Sequence, residues 1–352
     1  MHTRRAVLAA ALTVLAAAGC SGSGSGSADK QADQQTIVVS TFPFGVKEFE
    51  QAVVAPFTKQ TGIKVELDTG SNSDRLSKLK LTKGKPEADV VLISDYFAAL
   101  GQKDGLFQKV DVPNIKELAP FATEGAYEGP AYTVQLNGII YNTGKLSQKQ
   151  AADWALFANA ANKGKVALPD ISVTAGQLMI SGVGESYGKG PYDIDTSLQT
   201  LAGWAPNVLQ FYTSSTEVTN LLTQGEIVAA DALSGFATKL VTSGEPIAWT
   251  APAKGRYMAT NRAMIPKGAR NQQGAAKFID YMLSAEAQSS MAKAVGDLPT
   301  NPKAEIPADI SKVTGEAAKD PVAAGFKTLD PAQLVSTRPT WVDRFTREVA
   351  GK

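Results

Sequence analysis

The chain has 352 residues, 43% hydrophobic and 20% charged, enough apolar material for one large globular domain or two ordinary ones. That composition excludes collagen-like, coiled-coil and disordered classes. Lys and Arg number 35 against 34 Asp and Glu, a formal net charge of +1, so no basic field marks a nucleic-acid partner.

The first segment (1–19) reads as an export signal. Arg4 and Arg5 give a positive start, Ala6 to Ala18 an apolar stretch, and Gly19 a small residue before the lone Cys20. A permanent membrane span needs about 20 apolar residues, more than this stretch offers. A cut before a single Cys, followed by Ser21-Gly22-Ser23-Gly24-Ser25-Gly26-Ser27, resembles a bacterial lipoprotein signal, in which the Cys becomes the lipidated N-terminus. Its usual Leu three positions before the Cys is Ala17 here. Arg4-Arg5 with Val7 and Leu8 also resembles a twin-arginine export signal. Processing at Cys20 would leave 333 residues with 33 basic and 34 acidic side chains, net −1, and would remove the only His, His2. Such an inventory excludes a Ser/His/Asp triad, a Cys/His pair, a His-ligated zinc site and a structural disulfide. No cofactor and no metal is expected, and a binder is favoured over an enzyme.

Residues 20–35 are Gly/Ser-rich and then polar, the composition of a flexible tether. Ile37-Val38-Val39 predicts a short buried strand. Phe49, Ala52, Val53 and Phe57 recur at helical spacing up to Gly62, which ends that helix. Ile63 to Leu67 alternates as a strand, Asp74 to Leu81 is an amphipathic helix, Asp89 to Ile93 a third strand, and Tyr96 to Gln102 a further helix. This β-α-β-α-β-α order implies a parallel sheet with helices on both faces. A second cluster follows: a strand at Ile139-Ile140-Tyr141, a helix at Trp154 to Ala161, a strand at Lys165 to Leu168, and a helix from Thr174. Ala275 to Leu283 is a strong amphipathic helix. Nothing in 125–140 reads as a loose linker, so tight crossing strands are expected to join the two units as a hinge.

The order of the lipoprotein signal, Thr61-Gly62-Ile63-Lys64-Val65, Glu87-Ala88-Asp89-Val90-Val91, Ser94-Asp95-Tyr96 and Leu283-Ser284-Ala285-Glu286-Ala287-Gln288 resembles the solute-binding proteins of bacterial ABC importers. Within them it is most similar to the branch of spermidine/putrescine, ferric iron, thiamine and phosphonate binders. The resemblance runs from about Thr36 to Pro302. It implies a two-lobed α/β fold, each lobe a mixed, mostly parallel sheet flanked by helices. Lobe 1 would be 37–135 with 261–305 and lobe 2 136–260 with 306–352, closing on one small ligand in the cleft between them. It also implies a monomer anchored by lipid to the outer face of the cell membrane, with a permease and ATPase subunits as partners.

Ligands of open α/β sheets sit at the carboxyl ends of strands. The loops expected there are Ser40-Thr41-Phe42, Gly70-Ser71-Asn72-Ser73, Ser94-Asp95-Tyr96 and Asp170 to Gly176. The same residue types are favoured helix N-caps, so each loop has a capping reading beside the binding one. The resemblance also places Tyr132, Trp249 and Tyr257 at the cleft, where rings stack on a planar ligand or belong to the lobe core. Asp231 follows Val228-Ala229-Ala230 at a strand end and is open to two roles, taking a ligand amine or making a hinge hydrogen bond.

Polyamine binders of this resemblance hold amines with carboxylates and stack the methylene chain on aromatics. Set on that pattern, the acid positions read Ile171, Thr174 and Asn261, and two aromatic positions read Leu233 and Ala259. None of the nine Tyr residues adjoins another, which disfavours iron held by paired tyrosinates. What remains is hydroxyl, amide and basic: Ser71, Asn72, Ser73, Ser94, Thr174, Asn261 and Arg262. With the Thr174-Ala175-Gly176 helix start as an anion seat, these favour an anionic or zwitterionic solute such as a phosphonate or phosphorylated compound. A polyamine or thiamine is the alternative within the same fold. The competing class is an exported hydrolase using a carboxylate pair such as Asp95 and Asp170, which no recognisable catalytic motif accompanies.

Overall fold

The computed structural model describes residues 35–351. The export signal, Cys20 and the Gly/Ser tether lie outside the described residues. The β-branched residues Ile37, Val38 and Val39 favour extended backbone, and β1 (Thr36–Thr41) forms around them. β2 (Lys64–Thr69) and β3 (Val90–Ser94) flank it in parallel. β3 is buried along its whole length, as a continuous apolar run requires.

Between β1 and β2 the chain makes one helical run, Val46–Phe49, Glu50–Val54 and Ala55–Thr61, whose middle segment widens into a π turn. Gly62, at φ 74°, ends the run and donates its N–H to the Thr58 carbonyl. Phe57 meets Phe278 of the helix Gln272–Leu283 edge-on, with ring centroids 5.1 Å apart and both rings fully buried. That contact holds two helices on one face of the first half of the sheet.

The other strands are β4 (Phe107–Gln108), β5 (Ala131–Asn142), β6 (Val166–Pro169), β7 (Val208–Tyr212), β8 (Ala229–Leu233), β9 (Ile247–Thr250), β10 (Met258–Pro266) and β11 (Leu298–Pro299). The main path runs β2-β1-β3-β10-β5-β8-β6-β7. Pairing is parallel toward each end and antiparallel around β10 and β5. β5 belongs to both halves: Ala131 to Leu136 pair with β10, Asn137 to Tyr141 with β8, and Ile139 to Asn142 with β9. Each half is thus an α/β layer in a two-lobed fold, and the 12-residue β5 is the tight crossing strand anticipated near residues 125–140. β10 pairs with the first half from Met258 onward. The late helix Pro331–Phe345 touches both halves through Arg338, which donates to the Ile171 carbonyl at 2.7 Å and lies 4.3 Å over the Tyr96 ring.

One expected element differs. Instead of a helix over Trp154 to Ala161 there are two 3₁₀ turns, Trp154–Leu156 and Ala160–Asn162. Asp153 caps the first through the Ala155 N–H, and Asn159 caps the second through the Ala161 N–H. These short polar side chains bond backbone that a continuous helix would use, so helical spacing alone does not propagate.

Candidate functional site

The parallel strands β1, β7 and β8 end near Thr41, Tyr212 and Leu233, and all three residues line one cleft of about 440 Å³. Its walls come from both halves of the sheet. The first half supplies the loop after β1 (Thr41, Phe42, Phe44), the start of the helix Asn72–Leu81 (Ser71, Asn72, Ser73), and Ala259 and Asn261 of β10. The second supplies the start of the helix Thr174–Tyr187 (Ser172 to Ala175), Tyr212 with Thr213 and Ser215, and Leu233 with Phe236. Tyr132, Thr133 and Gln135 of the shared strand β5 also line it.

Nine of the residues expected at the ligand meet in this cleft: Thr41, Phe42, Ser71, Asn72, Ser73, Tyr132, Thr174, Ala175 and Asn261. Several are already engaged by the fold. Ser71 forms a capping box with Asp74, accepting from its N–H at 3.1 Å and donating its hydroxyl to the carboxylate at 2.6 Å. Asn72 Oδ1 accepts from the Ser94 N–H and from Arg75. Asn261 donates to Thr133 Oγ1 at 3.1 Å. Burial pushes the Tyr132 phenol well up, so this ring is a neutral wall.

The start of the helix Thr174–Tyr187 differs from Ser71 in carrying no side-chain cap. Its N-cap is Val173, and among the described residues only backbone of the preceding turn shapes it, with the Gly176 N–H donating to the Val173 carbonyl. Gly176 is what permits this tight start: a Cβ there would lie 2.1 Å from the Asp170 carbonyl oxygen. The start of this 14-residue helix thus reaches the cleft lining at Thr174 and Ala175 without a side-chain cap, and the positive dipole end of a helix favours negative charge nearby.

Other expected residues lie outside the cleft lining. Arg262 is buried, donates to the carbonyls of Ala122, Gly129 and Glu124, and stacks 3.4 Å over the Tyr127 ring. Asp95 accepts from the Tyr96 and Thr260 N–H groups, and burial raises its pKa. Ser94 Oγ is buried without a hydrogen-bond partner among the described residues, and Tyr96 packs under Arg338. Tyr257 donates its hydroxyl to Glu185. Asp231 is fully buried, accepts from Asn137 Nδ2 at 2.9 Å, and is held far above the usual carboxylate range by desolvation. Trp249 stacks on Phe326 and donates to the Ala232 carbonyl. Asp170, the other half of the carboxylate pair, accepts from the Ser172 N–H within its own loop.

The cleft also contains residues that sequence reasoning did not single out, namely Phe44, Gln135, Tyr212, Phe236 and Asp297. Asp297 is the one charged side chain in the lining among the described residues. Its Oδ1 accepts from Gln135 Nε2 at 2.6 Å, and burial raises its pKa to about 6. The local signal was slight: Gly296, in the left-handed region at φ 92°, ends the helix Ala285–Val295 just before it. No group of three or more acidic, His or Cys side chains suited to a metal occurs among the described residues. None of their helices is long and apolar enough to cross a membrane.

The family model of the bacterial extracellular solute-binding proteins matches residues 52–320. Among curated relatives, a spermidine/putrescine-binding periplasmic protein of Haemophilus influenzae is 28% identical over 268 residues, covering 73% of this chain and 74% of the relative. Iron uptake protein A1 of Synechocystis is 25% identical over 262 residues, covering 69% and 70%. Among solved structures, that of an ABC transporter from Clostridium perfringens superposes with a TM-score of 0.73 at 30% identity, covering 89% of this chain and 99% of the other. These relatives are transport proteins, so the carboxylate-hydrolase alternative falls. The chain therefore belongs to the bacterial extracellular solute-binding proteins, the binding components of ABC transporters, and is not an enzyme.

Proposed function

We propose that the chain captures one small polar solute, anionic or zwitterionic, by closing two lobes (37–135 with 261–305, and 136–260 with 306–352) over the cleft. The closed form then docks on a permease whose ATPase subunits supply the energy. The observation that carries this reading is the placement of the cleft: it lies at strand ends of both halves of the sheet, with the shared strand β5 between them. A solute touching both walls favours the closed arrangement by as much as it binds that arrangement more tightly than the open one. The nine lining residues Thr41, Phe42, Ser71, Asn72, Ser73, Tyr132, Thr174, Ala175 and Asn261 are proposed to contact it, with the uncapped helix start at Thr174 seating its anionic end. Export, lipid attachment at Cys20 and a monomeric state complete the proposal.

A polyamine is the second reading, supported by the names of curated relatives and by the aromatic walls Phe42, Tyr132 and Tyr212. A dication in a buried cleft calls for more than one carboxylate, and Asp297 is the single one in the lining among the described residues. Native mass spectrometry of protein purified without refolding tests the choice. A bound mass matching an acid or zwitterion supports the proposal, and spermidine or putrescine in its place overturns it.

A further inference from the structure

The carboxylate of Asp297 is hard to account for as part of the core. The residue is 8% exposed, sits at the cleft wall, and receives a single hydrogen bond, from Gln135 Nε2 to Oδ1. Oδ2 accepts nothing from the described residues and is not sealed from solvent. No Lys or Arg forms an ion pair with it among the described residues, and none lines the cleft. An ionised carboxylate largely removed from water and left with one neutral donor is unfavourable, and such a group is retained at a cost where a ligand completes it.

Its surroundings are built for close approach. The helix Ser234–Thr242 brings its first turn against the carboxylate at Gly235, where a Cβ would lie 2.7 Å from Oδ1. Any larger residue there would push the helix or the carboxylate away. Tyr132, whose phenol is raised by burial and then by the charge of Asp297, lies in the same part of the lining and offers a ring to a cation.

We infer that Asp297, held by Gln135 and approached by Gly235, is the specificity-determining seat for an ammonium group of the solute. The solute is then a compact zwitterion carrying one amine, its ammonium on Asp297 and its anionic end on the backbone N–H groups that open the helix at Thr174. This rests on the cleft being the solute site, as proposed above, and narrows the class: a purely anionic solute leaves Asp297 unpaired, and a dication leaves its second charge without a carboxylate.

Matched pairs differing by one amine test it: 4-aminobutyrate against butyrate, 2-aminoethylphosphonate against ethylphosphonate, and putrescine against 1-aminobutane, each titrated by calorimetry into wild type and Asp297→Asn. The expected result is binding of a zwitterion, no detectable binding of its amine-less partner, and loss of at least about 30-fold in affinity in Asp297→Asn. Gly235→Ala should weaken the same zwitterion, and circular dichroism identifies any variant that fails to fold. Equal binding of a zwitterion and its amine-less partner, an unchanged zwitterion affinity in Asp297→Asn, binding of putrescine in preference to the zwitterions, or no binding by any of the amines overturns the inference. A zwitterion that binds without compaction of the protein would instead contradict lobe closure while leaving the ammonium seat standing.

Discussion

Lys239 Nζ lies 2.6 Å from Glu48 Oε1 and 5.0 Å from the centroid of the Phe44 ring. Phe44 in turn meets Phe236 edge-on, with centroids 5.6 Å apart, and both rings line the cleft. Glu48 belongs to the first helical run and Lys239 to the helix Ser234–Thr242, so this cluster ties the two halves together at the cleft wall.

Both partners are a third or more exposed, which limits the pair to under about 1 kcal/mol of stability. Its effect on the balance between open and closed forms is expected to be larger than its effect on unfolding. Glu48→Gln should change the urea midpoint little, yet raise the radius of gyration of the unliganded protein. High salt should mimic the substitution in wild type. The hydrogen bond from Lys239 lowers the Glu48 pKa, so the contribution is present above the ordinary glutamate range and fades as pH falls through the lowered value.

Asp297 gives a prediction of opposite sign. Burial lifts its pKa from the ordinary 3.8 to about 6. The folded value exceeds the unfolded one, so the stability associated with its protonated form is complete below about pH 3.8 and is lost as pH rises through about 6. At about 1.4 kcal/mol per tenfold change in proton affinity, the ionised form is about 3 kcal/mol less favourable in the fold. Asp297→Asn should therefore raise the melting temperature at pH 8 and leave it nearly unchanged at pH 4. An ammonium solute reverses the balance, so wild-type affinity should rise between pH 5 and pH 7.5 and that rise should vanish in the variant. The groups facing the carboxylate are neutral Gln135, the Tyr132 phenol, which stays protonated through this range, and the Gly235 backbone.

Arg262 predicts a stability loss without a binding loss. Three backbone carbonyls and the Tyr127 ring depend on its planar fork, which a lysine cannot reproduce. Arg262→Lys should cost about 2–4 kcal/mol in urea unfolding, at roughly 1 kcal/mol or more per buried group left unpaired. Solute affinity of the remaining folded protein should stay within a few-fold of wild type.

The contrast between Asn261 and Arg262 shows what the sequence could and could not tell. Consecutive strand residues point to opposite faces, so when Ala259 and Asn261 face the cleft, Arg262 turns away into the core of the first half. Strand and helix positions such as Ile37 to Val39 or Ala275 to Leu283 were readable because burial imposes a period on them. Cleft loops were readable only as polar helix starts, where Ser71 as a cap and Thr174 as an uncapped end look alike. Asp297 was hidden because nothing local distinguishes an aspartate beside a helix-ending glycine from a solvated one. Its neighbours Gln135 and Gly235 lie 162 and 62 residues away in the chain.

Gly176→Ala tests the anion seat separately. A Cβ 2.1 Å from the Asp170 carbonyl must displace the turn that opens the helix at Thr174. Affinity for a zwitterion should fall by at least about tenfold, while the Asp297-dependent pH response, which rests on Gln135 and Gly235 rather than on this turn, should persist.

Closure of two lobes on a solute that bridges them is measured most directly by small-angle X-ray scattering with and without a saturating bound zwitterion. Lobe closure predicts a smaller radius of gyration in the bound state for wild type. Scattering curves that superimpose at saturation would contradict it.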